Sequence, residues 1–160
     1  MNLEANKAVA RRFFDELWNA RRLPVADDII APDCVTHQLR SGADDSATPR
    51  APESIKQHVA EWVAAFPDLR FTAEQMIAEG DRVVTHCTAR GTHLGYWHSI
   101  PPTGKIITIQ MTVIHRIADG RIAEDWVLAD FLGVFQQLGI VRPTAELLAK
   151  ADPGTAKAGQ

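Results

Sequence analysis

Residues 105–131, KIITIQMTVIHRIADGRIAEDWVLADF, decide how this chain folds. Apolar and polar side chains alternate on both sides of Asp119-Gly120, the pattern of two strands with one buried face. A primed two-residue turn needs positive φ at both central positions, which Asp-Gly tolerates, so the spacing predicts a hairpin closed at 119 and 120. A turn of that length pairs Ile117 with Ile122, His115 with Glu124, Val113 with Trp126 and Ile109 with Asp130, barring a bulge. On that register His115, Val113, Met111 and Ile109 share a face with Glu124, Trp126, Leu128 and Asp130. Glu124 and Asp125 then point to opposite sides of the sheet.

On the N-terminal side, LRFTAEQMIAEGDRVVTHCTARGTHLG (69–95) alternates in two further runs joined at Glu79-Gly80-Asp81. Ahead of it lie two helical patterns. Residues 4–20 gather Val9, Phe13, Leu17, Ala10, Phe14 and Trp18 on one face; from Pro52, Ile55, Val59, Trp62, Val63 and Phe66 repeat until Pro67. Between them, Pro24 suits the first turn of a short helix and Pro32 ends it, and an extended segment leads into the solvent-facing loop SGADDSATPRAP (41–52). After Asp130, Leu132, Phe135 and Leu138 regain helical spacing, with Gly139 at C′. The expected fold is α+β: a cone-shaped α+β barrel, N-terminal helices packed on a curved antiparallel sheet, enclosing a pocket for a small apolar ligand. One domain is expected over 1–145, with 146–160 as a mobile tail.

The 160 residues are 46% hydrophobic and 23% charged, the balance of one globular domain. A net charge of -3 and the lack of a Lys/Arg run exclude nucleic acid as an expected partner. No apolar run approaches a membrane span and the N-terminus reads as an amphipathic helix, so a cytoplasmic location is expected. Cys34 and Cys87, far apart, read as small buried residues. The six histidines lack HxH or HExxH spacing, so no metal is expected. IPPTGK (100–105) is a turn and not a phosphate loop.

APDCVTHQ, FPDLRFTAEQMIAEGDRVV, GTHLG with IPPTGK, HRIADGRIAEDWVLAD and the closing QQLG occur in an order that resembles the SnoaL-like polyketide cyclases (ester cyclases) of the nuclear-transport-factor-2-like superfamily. The resemblance covers residues 4–140 and implies a cofactor-independent intramolecular aldol ring closure on a polyketide-like or apolar carbonyl substrate, in a homodimer. It implies a pocket aspartate at Asp130 as acid/base, with His115 nearby on the preceding strand. His37 stands where relatives carry a polar pocket residue, and His86 where they often carry arginine. With Met111, Trp126, Phe14 and Trp18 these make the expected substrate contacts. Asp130 has a second reading as a helix cap, and His115 as a satisfied sheet histidine. The scaffold also admits a non-catalytic ligand-binding domain, an isomerase or a hydrolase.

Overall fold

A computed structural model of the chain describes residues 2–39 and 47–149. Helix α1 (Leu3–Arg12) starts where the Asn2 side chain accepts from Ala5 N–H, and it continues as a π-helical segment, Phe13–Asn19. That wider turn carries Phe13, Phe14, Leu17 and Trp18 together into the interior, all at most 7% exposed. Helix α2 (Val25–Ile29) follows Pro24, and helix α3 (Pro52–Ala65) begins with its proline in the first turn, where no amide partner is needed.

Among the described residues six strands form one open sheet: β1 (Ile30–Gln38), β2 (Thr48–Pro49), β3 (Arg70–Glu79), β4 (Arg82–Thr92), β5 (Ile106–Ala118) and β6 (Arg121–Ala129). Their order is β2-β1-β6-β5-β4-β3. The expected antiparallel sheet holds except at β1 and β6, which pair parallel. The α+β class stands, with a mixed sheet that does not close into a barrel. Strand β1 lies in a segment read only as extended; a register shift between Ile30 and Val35 accommodates Pro32. Part of the expected 41–52 loop lies outside the described residues, and its Thr48–Pro49 pairs with β1. Helix α4 (Phe131–Leu138) ends at Gly139 with φ +81°, the left-handed cap expected there. Helix α5 (Thr144–Ala149) crosses the boundary placed at 145, and 150–160 lie outside the described residues. No helix among the described residues is long and apolar enough to cross a membrane.

Asp119 and Gly120 both adopt positive φ and close the β5–β6 hairpin as expected, with Ile117 opposite Ile122. One residue later the register departs from expectation. Arg116 pairs with Glu124, and His115 with Asp125, so Ala123 is the extra residue of a bulge. A one-residue shift exchanges the two faces of the rest of the strand. Asp125 and Val127 therefore join His115, Val113 and Met111 on the inner face, while Glu124, Trp126 and Leu128 turn outward.

Candidate functional site

Between the helices and the inner face of the sheet lies a cavity of about 530 Å³. The π-helical segment supplies one aromatic wall, Phe13, Phe14 and Trp18, which meets Phe71 of β3. Trp62 of α3, Trp97 of the β4–β5 loop and Phe131 of α4 form the other, with Trp62 and Trp97 rings 5.1 Å apart. Met111 and Val113 of β5 line the sheet side. Polar side chains are few: Thr36 and Gln38 of β1, Asp125 of β6, Arg50 before α3, His58 within it, and His98 and Ser99 of the β4–β5 loop. An apolar concavity with sparse polar groups is the usual form of a small-molecule site.

Among the described residues Asp125 is the one acidic residue in this lining, and it is 6% exposed. Burial pushes its pKa above the ordinary carboxylate value, opposed by the nearby Thr36 hydroxyl and by the charge of Arg50. Its Oδ1 has no hydrogen-bond partner. Thr36 faces Asp125 across the parallel β1–β6 pairing, so the unexpected strand β1 builds the second half of the carboxylate's surroundings. His58 is held neutral, its pKa pushed down to about 4 mainly by burial and further by the charges of Arg50 and His98.

His115 sits opposite Asp125 on β5 but does not line the cavity. It is fully buried behind Phe13, edge to face with a 4.8 Å ring separation, and neither ring nitrogen has a partner. Burial pushes its pKa down to about 3, so it is a neutral core imidazole.

Of the expected substrate contacts, Phe14, Trp18 and Met111 line the cavity, whereas His37, His86 and Trp126 do not. The bulge turns Trp126 outward, where His37 stacks on it at 5.0 Å and 6° and Arg82 lies 5.2 Å above its ring. His37 Nε2–H donates to Glu124 at 2.8 Å. Arg116 Nε–H donates to the other oxygen at 2.9 Å, and these bonds hold the Glu124 pKa below its usual value. His86 is exposed on β4 beside Gln110. Asp130, the expected acid/base, is exposed and lies outside the cavity lining. Its Oδ1 accepts from Gly133 N–H at 2.8 Å as the N-cap of α4, in keeping with its second reading.

Asp125, Thr36, Arg50 and His58 are not among the site residues expected from sequence. A signal existed for His58, which stands three residues after Ile55 and four before Trp62 on the apolar face of α3. Cys34 and Cys87 are both free and buried, as expected.

The helices laid over an open sheet, with an aromatic cavity and a buried carboxylate between them, define a protein of the α+β class. The chain belongs to the SnoaL-like polyketide cyclase family, whose profile matches residues 8–138. It is 30% identical over 133 residues to the nogalonic acid methyl ester cyclase of Streptomyces nogalater, covering 81% of this chain and 94% of that one. IdmH of Streptomyces antibioticus, provisionally described as a polyketide cyclase, is 33% identical and superposes with a TM-score of 0.71, covering 84% of this chain and 98% of its own. AclR of Streptomyces galilaeus, provisionally described as a hydroxylase, shares the fold at a TM-score of 0.79 and 24% identity, covering 94% of this chain and 92% of its own. The family membership supports a cyclase-type function.

Proposed function

We propose that this protein is a cyclase that closes a ring by intramolecular aldol addition on a polyketide-like carbonyl compound, with Asp125 as general acid/base. One observation carries the reading: among the described residues the cavity holds a single carboxylate, desolvated and with a raised pKa. A carboxylate in that setting is a stronger base when ionised and a usable acid once protonated.

The steps balance without an outside reactant. Ionised Asp125 takes a proton from a carbon flanked by two carbonyls, and the C–H electron pair becomes the enolate. The enolate carbon attacks a ketone carbon in the same molecule, forming the new C–C bond and moving the carbonyl π pair onto oxygen as an alkoxide. Protonated Asp125 returns its proton to that alkoxide, so the product is an isomer of the substrate. The aromatic walls fold the flexible chain so that its reacting carbons meet, which supplies proximity in place of a cofactor's chemistry.

Nogalonic acid methyl ester and its free acid, assayed for a ring-closed product of unchanged mass, test the reading. Asp125→Asn should lower turnover at least about a hundredfold, the scale for a positioned acid/base. Unaltered turnover in a folded variant sinks the role of Asp125. Melting raised by these compounds with no product formed favours a binding domain.

We also propose that a second copy covers the outer face of the sheet. There Ile77 is 64% and Leu128 52% exposed, with Val84, Ile114 and the half-buried Trp126 in the row that runs from Ile77 across the sheet, and apolar patches of this kind mark association surfaces. Sedimentation equilibrium should give twice the chain mass.

A further inference from the structure

The cavity is polar at two depths. Asp125 and Thr36 lie deep, at 6% and 2% exposure, whereas Arg50 is half-buried and His98 and Ser99 are exposed, which places these three at the mouth. Among the described residues Arg50 carries the one permanent positive charge in the lining. Its guanidinium takes part in none of the ion pairs among the described residues. It is near enough to Asp125 and to His58 to act on both electrostatically. His58 is neutral at physiological pH, so it offers a hydrogen bond and adds no second charge.

From this arrangement we infer that the cavity selects a planar, polycyclic ligand bearing a free carboxylate, with the carboxylate paired to Arg50 at the mouth and the ring system between the aromatic walls. A guanidinium presents a flat fork of N–H donors that matches a carboxylate in two parallel hydrogen bonds. An esterified carboxyl loses both the charge and half of that match. Phe14 and Trp18 belong to one aromatic cluster of the lining and Trp62 and Trp97 to another, and such side chains offer faces on which flat rings pack. The inference rests on the cavity being the substrate site and deepens that reading by giving the substrate a direction: acid group outward at Arg50, reacting carbon inward at Asp125. It also separates this chain from its relative named for a methyl ester substrate.

Binding tests it without turnover. Three of the four tryptophans, Trp18, Trp62 and Trp97, line the cavity, so their fluorescence reports occupancy. Full-length protein is titrated at neutral pH with 2-naphthoate and with methyl 2-naphthoate. The acid should bind about tenfold more tightly than the ester, the scale of one charge-assisted bidentate pair at a partly exposed site. Arg50→Gln should bring the two to parity by weakening the acid more than the ester, and Arg50→Lys should keep part of the preference. A cooperative thermal melt checks that the variant is folded. An ester bound as well as the acid, an acid preference that survives Arg50→Gln, or no binding of the acid at millimolar concentration overturns the inference. A guanidinium that served only to tune Asp125 would leave the acid-to-ester binding ratio unchanged. Failure here leaves the acid/base role of Asp125 intact, since that role is judged by turnover of the Asp125→Asn variant.

Discussion

Glu124 and Asp125 are adjacent carboxylates on one strand, and the sheet between them gives each a different chemistry. Outward, Glu124 is bonded to both Arg116 and His37, and those bonds favour its charged form. Inward, Asp125 meets apolar walls, keeps one oxygen unpartnered, and resists ionisation. The outer carboxylate is satisfied and serves structure. Its neighbour is left with unused hydrogen-bonding capacity in a buried site, which is the condition in which a carboxyl group can exchange protons with a ligand. Residue type is nearly constant across the pair, so the contrast isolates the effect of surroundings.

Moving a charge from one face to the other should give the greatest change. Val127 lines the cavity and Leu128, next in sequence, is exposed outside. Val127→Asp would bury a second carboxylate beside Asp125 with no partner, and it should cost about 2–4 kcal/mol of folding stability. Leu128→Asp should stay within about 0.5 kcal/mol for the folded chain while dissociating the proposed dimer. Urea unfolding and sedimentation of both variants check this. Equal losses of stability would mean that the two residues do not face opposite sides.

That strand is also where legibility in the sequence ended. The Asp119-Gly120 turn, the proline-marked ends of α3 and the left-handed Gly139 are written in residues whose backbone preferences differ sharply from the average. The bulge is different. Ala123 has no special φ/ψ preference, and its extra position is set by how β6 must lie between β5 and the parallel strand β1. An error of one residue there reverses every assignment along the strand, turning Trp126 inward and leaving Asp125 unchosen. Arg50 and His58 reach the cavity from before and within α3, elements whose docking a strand register does not describe. The histidines are hard to place for a related reason: His37, His86 and His115 differ in burial and partners, not in local pattern.

Asp130 gives a mid-sized test of the same lesson. Its carboxylate caps α4 through Gly133 N–H, and the open space a side chain at Gly133 would need is taken by that carboxylate. Asp130→Ala should therefore lower stability by about 1 kcal/mol, the usual cost of a lost N-cap, with turnover unaffected once the variant is folded. Thermal melting and the ring-closure assay separate the two. Turnover falling with unchanged stability would return Asp130 to the acid/base role and remove Asp125 from it.

Subtler effects, and the finest test of the two faces, lie in pH dependence. Glu124 has a depressed folded-state pKa, so it contributes stability above the pKa of an unfolded carboxylate, and that stability is lost as pH falls through the folded value. Asp125 has a raised one. Its protonated form is favoured by folding, so stability is full below the unfolded pKa and is lost as pH rises through the folded pKa. Glu124→Gln should accordingly be less stable than the parent at neutral pH, by under about 1 kcal/mol because the network is partly solvated, with the gap closing in acid. Asp125→Asn should be the more stable protein at neutral pH and lose that advantage on acidification, the mark of an active group held at a cost to folding. Urea midpoints measured from neutral pH down to about pH 3 read both differences in one series. Curves that run parallel for the two variants would mean that the neighbouring carboxylates share one environment, and the division of labour across β6 would fail.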